Sequence, residues 1–141
     1  MDLTIKIDKT LLNIRVVVLA KTKNGYILEK SPDGYLYFIG GRIKISENSE
    51  QAAKRELLEE VGISDGRLRF TAVIENFFKL KEQPVHEISF VYSMDEEIEI
   101  QKLAKDRIEV PIRDLINMDI RPLGLRDYIL SGDQRSHVIL K

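Results

Sequence analysis

Apolar and polar positions along the first third of the chain predict short strands separated by turns. An almost continuous apolar run over Ile14 to Ala20 is typical of a buried strand. Asn24-Gly25 is a strong turn signal, so we expect Tyr26 to Leu28 to be the returning strand. The aromatic-rich segment Tyr35 to Ile39 predicts a third strand, and Gly40-Gly41 is expected to end it and open a loop.

The pattern then becomes that of a helix followed by two longer strands. Good helix formers fill Ser49 to Val61, with Asn48 or Ser49 available as the N-cap. Gly62 is well placed as the residue that ends this helix. Arg67 to Leu80 and His86 to Met94 predict the two strands, which are separated by a charged loop.

Two shorter helical signals and one more strand complete the pattern. The helices are expected at Ile112 to Asn117 and from about Pro122 to Leu130, and the strand at Val138 to Leu140. Because strands and helices mix along the chain, we expect an α/β sandwich rather than a barrel or a helix bundle. No repeat, low-complexity run or linker divides the sequence, so residues 1–141 are expected to form a single domain.

Composition and charge exclude several classes of protein. Lys plus Arg number 22 and Asp plus Glu number 23, a balance that argues against a binder of nucleic-acid polymers. The chain has no cysteine, which excludes thiolate metal sites, disulfide scaffolds and cysteine nucleophiles. No apolar stretch approaches the ~20 residues that span a bilayer, and no signal peptide is visible. We therefore expect a soluble, cytoplasmic protein with no membrane partner.

The helix predicted over Ser49 to Val61 carries an unusual group of acids. At 100° per residue, Glu56, Glu59 and Glu60 fall within roughly 100° of one another. Three apolar residues that follow one another at intervals of four positions are expected on the opposite side of the helix, packed against a sheet: Ala53, Leu57 and Val61.

Three like charges on one face repel one another, and the helix dipole disfavours those near the C-terminal end. A bound divalent cation would offset both effects. Because the donors are all oxygens, a hard ion such as Mg²⁺ or Mn²⁺ is favoured. For a helix considered alone, the competing interpretation is a solvated acidic face paired with Lys54 and Arg55.

The residues around these acids decide between the two interpretations. Gly41, Glu47, Arg55-Glu56, Leu57, Glu59-Glu60, Gly62 and Ile63 stand at every specified position of the pattern G-x5-E-x7-R-E-U-x-E-E-x-G-U, where U is a bulky aliphatic residue. This segment resembles the Nudix box, the signature of the Nudix hydrolases. The resemblance implies an α/β/α sandwich with a mixed central sheet. It also implies Mg²⁺- or Mn²⁺-dependent hydrolysis of a pyrophosphate bond in a nucleoside diphosphate linked to another moiety.

Roles for individual residues follow from the same resemblance. Glu56, Glu59 and Glu60 are the expected metal ligands, with the backbone carbonyl of Gly41 as an additional one. Arg55 is expected to orient the carboxylates through an ion pair, with Glu47 as its partner. The general base is either an acid of the box or one farther along the chain. The candidates for that base, from which we favour the first two, are Glu59, Glu87, Glu96, Glu97 and Glu99.

Substrate contacts are less well defined by the sequence. Arg15 and Arg42 are candidates for phosphate binding, and Phe78 is a candidate for stacking on a base. Strand alternation sends Phe77 and Phe78 to opposite faces, and we expect at least one of them in the core. His86 is expected to have a non-catalytic role.

The expected substrate is a small nucleotide, either an NTP or dNTP or a nucleotide sugar. The alternative function is a catalytically inactive Nudix-like domain that binds a nucleotide as a sensor. All four glutamates of the box are present, which disfavours that alternative. Many Nudix proteins form homodimers, but no sequence feature here identifies an interface.

Overall fold

A computed structural model describes residues 1–99 and 103–141 of the chain. Within these ranges eight strands form one mixed sheet. The strands are β1 (Thr4–Ile7), β2 (Thr10–Leu19), β3 (Gly25–Lys30), β4 (Leu36–Arg42), β5 (Leu68–Leu80), β6 (Gln83–Met94), β7 (Arg107–Pro111) and β8 (His137–Leu140). The helices are α1 (Ser49–Val61), a 3-10 helix (Ile112–Asn117) and α2 (Leu123–Ser131).

The order of strands across the sheet is β7-β3-β4-β2-β6-β5-β8, with β1 paired to the first half of β2. The pairs β2–β6 and β5–β8 are parallel and the other pairs are antiparallel. The mixed α/β fold class expected from the sequence is confirmed. Strands far apart in the chain therefore become neighbours, which matters for the site described below.

Strand alternation divides the core into two layers, one on each face of the sheet. Val16 and Val18 of β2 pack on the α1 side, together with Ala53 and Leu57 of the helix. Val17, one residue along, packs on the other side in the cluster that contains Leu125 and Tyr128 of α2. Because successive side chains of a strand point to opposite faces, a single apolar run can supply both layers.

Helix α1 has the bounds that the sequence predicts, and its ends are well capped. The side chain of Asn48 accepts a hydrogen bond from the Gln51 backbone N–H, and the Gln51 side chain accepts one from the Asn48 N–H. This reciprocal capping box satisfies two donors of the first turn. Gly62 ends the helix in the left-handed conformation, at φ 83°.

Several details of the predicted strands are wrong. β3 does not pair with β2, because β4 lies between them in the sheet. A single bridge joins Tyr26 of β3 to Lys21, which follows β2. Gly40 and Gly41 do not open a loop but continue β4, paired with Val17 and Val16. β1 and β7 were not predicted, since short edge strands carry a weak alternation signal.

Neither α-helix in the described part of the chain is long and apolar enough to cross a membrane. The cytoplasmic location and the single-domain organisation stay predictions.

Candidate active site

The predicted separation of acidic and apolar faces on α1 is wrong in part. Glu56 is buried at 7% exposure, and the Glu60 side chain is 15% exposed. Only Glu59, at 53% side-chain exposure, is open to solvent. The reason is helical geometry: Ala53 and Glu60 are seven residues apart, which leaves them only about 20° apart around the axis. Val61, by contrast, is only half-buried.

Glu56 is fixed against the backbone of β4. A Cβ atom added to Gly41 would lie 2.2 Å from Oε1 of Glu56, so only glycine leaves room for this carboxylate. Gly41 itself is held in the sheet by its pairing with Val16. Glu56 and Gly41 are therefore in direct contact, although they are fifteen positions apart in the sequence.

Arg55 connects the start of the box to its helix. Its Nε and one terminal nitrogen donate to both oxygens of Glu47, at 2.7 and 2.9 Å. The other terminal nitrogen donates to Glu56 at 2.7 Å and to Glu59 at 3.4 Å. The ion pair expected between Arg55 and Glu47 is thus present, and its hydrogen bonds lower the pKa of Glu47 to about 2. They also raise the pKa of Arg55.

Glu60 lies in a second, looser group of charges. Arg107, at the start of β7, has one terminal nitrogen 3.4 Å from Oε1 of Glu29 and the other 3.8 Å from Oε2 of Glu60. Burial, followed by the negative charge of Glu29, raises the pKa of Glu60 to about 8. Oε2 of Glu60 is buried without a hydrogen-bond partner. An unsatisfied buried carboxylate oxygen of this kind suits a hard cation.

The two arginines contact different acids of the box. Arg55 contacts Glu56 and Glu59, whereas Arg107 contacts Glu60. Among residues 1–99 and 103–141, no three Asp, Glu or His side chains form a group that is ready to hold a metal ion. A metal would therefore need side-chain rearrangement to recruit all three box glutamates.

A large cleft of about 1,190 Å³ opens on the sheet face that packs against α2. Gly41, which touches Glu56 from one side, lines this cleft from the other. The three residues expected from the sequence as substrate contacts, Arg15, Arg42 and Phe78, also line it. Of the two favoured candidates for the base, Glu87 lines it and Glu59 does not. Residues from β2, β4, β5 and β6 thus meet in one cavity that borders the box.

The floor of the cleft is a row of buried polar side chains that crosses three strands. Asn13 of β2 stands opposite Glu87 of β6, and Glu87 stands opposite Asn76 of β5. Asn13 is 6% exposed and Asn76 is 9% exposed, and Oδ1 of Asn13 has no hydrogen-bond partner. Buried amides cost free energy unless something hydrogen-bonds them, so this floor is suited to a polar ligand.

Glu87, an acid that lines the cleft, has a raised pKa. Burial raises its pKa, while the positive charges of Arg15 and Arg42 and a hydrogen bond from Asn13 act in the opposite direction. Arg15 and Arg42 stand opposite each other in the β2–β4 ladder. No carboxylate of the described residues forms a salt bridge with either arginine.

Phe77 and Phe78 of β5 do not enter the core, contrary to the expectation for at least one of them. Each is 37% exposed. Both border the cleft, but the ring of Phe77 stacks on His86, with ring centroids 4.4 Å apart. The predicted non-catalytic role of His86 is compatible with this position.

The acids of the loop after β6 are poorly placed for chemistry. Glu96, Glu97 and Glu99 are all exposed, and none of them lines the cleft. Sequence reasoning also missed several site residues: Asn13, Glu29, Asn76 and Arg107. No local motif marks them, because each joins the site only through the pairing of strands.

Comparisons with known proteins agree with this geometry. The family model of the NUDIX domain matches residues 10–123. An 8-oxo-dGTP diphosphatase from Buchnera aphidicola subsp. Schizaphis graminum is 37% identical over 71 residues, which is 48% of this chain. The match covers 55% of that relative, so the chain spans about half the length of the curated protein it matches.

Solved structures share the fold. The MutT protein from Methanosarcina mazei Go1 superposes with a TM-score of 0.64 at 21% identity, covering 87% of this chain and 93% of that one. The Escherichia coli ORF135 protein gives a TM-score of 0.65 at 16% identity, covering 85% of this chain and 89% of that one. Since the family model also matches most of the residues, the chain belongs to the Nudix family.

Proposed function

We propose that the protein is a Mg²⁺- or Mn²⁺-dependent hydrolase that cleaves a pyrophosphate bond in a small nucleotide. The observation that supports this most directly is the position of Gly41. Its backbone touches the buried carboxylate of Glu56 on one side and lines the cleft on the other. A cation held by the box acids would therefore lie beside any phosphate bound in that cleft.

The residues proposed to hold the metal are Glu56, Glu59, Glu60 and the carbonyl of Gly41. The donor set fits a hard cation, because it consists of oxygens only and includes the unsatisfied Oε2 of Glu60. When bound, such an ion neutralises phosphate charge and acidifies a water molecule.

The remaining residues would bind and orient the substrate. Arg55 is a positioning residue that keeps Glu56 in place while its other nitrogens are fixed by Glu47. Arg15 and Arg42 supply positive charge to the cleft and would bind phosphate oxygens. Phe78 offers an aromatic face, and the buried amides of Asn13 and Asn76 offer hydrogen bonds, which together suit a heterocyclic base.

For the general base we propose Glu59 or Glu87. Glu59 is exposed and free to approach a water molecule, whereas Glu87 is inside the cleft with a pKa raised by burial. Glu59→Gln and Glu87→Gln should be compared over a pH–rate profile. The variant whose pH–rate profile loses its acidic limb identifies the base. Full turnover in both variants would contradict the assignment.

The substrate class is proposed to be an NTP or dNTP, with nucleotide sugars as the second class to examine. The relative from Buchnera is named for 8-oxo-dGTP, which makes oxidised and unmodified purine triphosphates the first compounds to test.

The function should be tested with a panel of nucleotides and nucleotide sugars, in Mg²⁺, in Mn²⁺ and in EDTA, with products resolved by mass. We expect turnover that requires the metal and releases a nucleoside monophosphate from the best substrate. Glu50→Gln is the matched control for variants of the box acids, because Glu50 is on the same helix and pairs only with Lys54. Nucleotide binding without turnover would instead support the sensor function.

A further inference from the structure

Arg107 is placed unusually for a residue outside the Nudix box. It is the first residue of β7 and stands opposite Glu29 of β3 in the antiparallel ladder. Its side chain is only 15% exposed and extends between Glu29 and the α1 helix, where Glu60 lies. One guanidinium group therefore serves two carboxylates from different elements.

The contacts of Arg107 are long for an arginine at this depth. The distances to Glu29 and Glu60 are 3.4 and 3.8 Å, and no hydrogen bond joins the guanidinium to either acid. Within residues 1–99 and 103–141, Nε of Arg107 and Oε2 of Glu60 are both buried without a hydrogen-bond partner. The arginine thus places a positive charge beside these acids but leaves Oε2 of Glu60 available to another ligand.

Arg55 provides the contrast within the same site. It donates to Glu47 at 2.7 and 2.9 Å and to Glu56 at 2.7 Å, so it is held firmly. A cation that gathers the box acids would displace the weaker of the two guanidinium groups. The weaker one is Arg107.

We infer that Arg107 is an internal counter-cation, which lies between Glu29 and Glu60 in the metal-free protein and competes with the divalent cation for Glu60. The inference rests on the proposed function, because it assumes that Glu60 binds the metal. Arg107 is a positioning residue in this scheme: it sets how tightly the metal binds and does not touch the substrate.

The test is calorimetric titration of Mg²⁺ into the full chain, combined with melting temperatures in EDTA and in Mg²⁺. Arg107→Gln should bind Mg²⁺ roughly tenfold more tightly than the parent, because one opposing charge is removed. In EDTA its melting temperature should be lower than that of the parent, and addition of Mg²⁺ should raise its melting temperature by more than it raises that of the parent. Arg107→Lys keeps the charge and should stay within about twofold of the parent affinity.

Arg113→Gln is the matched control, since Arg113 lies six residues away with a side chain that is 86% exposed. It should leave both measurements unchanged. A purely structural role for Arg107 would lower the melting temperature equally with and without Mg²⁺ and leave the affinity as it was, and that result would overturn the inference.

Two further outcomes are also decisive. If Arg107→Gln does not fold in EDTA, the inference requires that Mg²⁺ restore folding, and a variant that stays unfolded in saturating Mg²⁺ contradicts it. If the parent binds Mg²⁺ and Arg107→Gln does not tighten that binding, the inference about Arg107 is contradicted, but the proposed function is not. If the parent binds neither Mg²⁺ nor Mn²⁺, both the inference and the proposed function are contradicted.

Discussion

The metal-binding acids proposed on α1 and the polar floor of the cleft adjoin at Gly41, and they are built in different ways. Glu56, Glu59 and Glu60 lie within five consecutive residues of a single helix. The floor residues Asn13, Asn76 and Glu87 come from three strands and meet only through strand register. The first group can be recognised locally, whereas the second exists only in the folded chain.

The two regions also differ in how their charges are compensated. On the helix, Arg55 and Arg107 neutralise the acids, and each acid has a named cationic partner. On the cleft floor, Asn13 keeps an unsatisfied oxygen and Glu87 carries a raised pKa caused by burial. We conclude that the helix is arranged for a cation and the floor for a polar ligand, and the following predictions test that division.

The largest effect is expected at Glu56. Glu56→Gln should lower kcat by about a thousandfold, because a metal contributes several kcal/mol of transition-state stabilisation. The fold should persist, since glutamine keeps the size of the side chain and Arg55 retains its pair with Glu47. Steady-state kinetics and circular dichroism are the measurements, with Glu50→Gln as the control on the same helix. Activity within a few-fold of the parent would remove Glu56 from the metal site.

Gly41 should show the next largest effect. Gly41→Ala introduces a Cβ atom 2.2 Å from the carboxylate of Glu56, which must therefore move. We expect a loss of roughly a hundredfold in kcat/KM, the usual size for a displacement of about 1 Å in a catalytic group. Gly34→Ala is the control for a glycine-to-alanine substitution that brings no steric contact, since an added Cβ there would meet no atom within 4 Å. Its φ of +95° adds local backbone strain. Unchanged kinetics for Gly41→Ala would show that the contact with Glu56 is not needed.

A substitution at Phe78 tests the substrate-binding role of the cleft rather than the metal-binding role of the helix. Phe78→Ala should raise KM by about five- to tenfold with little change in kcat, because a stacking contact contributes about 0.5–1.5 kcal/mol. Phe77→Ala is the comparison variant: the two residues are adjacent and each is 37% exposed, but the ring of Phe77 is stacked on His86. An increase in KM that is no larger for Phe78→Ala than for Phe77→Ala would contradict stacking of the base on Phe78.

The smallest effect is expected for stability at acidic pH. In the folded protein the hydrogen bonds from Arg55 lower the pKa of Glu47 to about 2, from the ordinary glutamate value of 4.5. A depressed pKa contributes stability that is fully present above pH 4.5 and is lost as pH falls from there towards 2. Glu47→Gln should therefore be less stable than the parent at pH 7 in urea unfolding, and the difference should shrink at pH 3. A difference that is independent of pH would mean that the carboxylate charge is not its source.

Much of α1 could be predicted because its signals are local. Asn48 and Gly62 mark its ends, and the acids have a spacing that no arrangement of other strands can alter. The partial error about its faces has a simple cause. Glu60 is nearly in line with Ala53 around the helix axis, so burying one draws in the other.

The strands were predicted less completely because their environment is not local. Gly40 and Gly41 are strong turn signals in isolation, yet pairing with β2 keeps them extended. A Cβ at Gly40 would lie 2.2 Å from the carbonyl oxygen of Val16, so glycine serves close approach there and not a turn. Likewise, β7 carries little pattern of its own and is stabilised by its partner β3.

The sequence by itself determined the family, the helix that carries the acids and the type of cation they suit, because these depend on spacing within one element. Tertiary structure alone decided that Arg107 would reach Glu60 and Glu29, and that Asn13, Glu87 and Asn76 would form one row. The physical reason is that residues on different strands and helices meet only when strand order and register bring them together. Those are properties of the whole sheet and of no single segment.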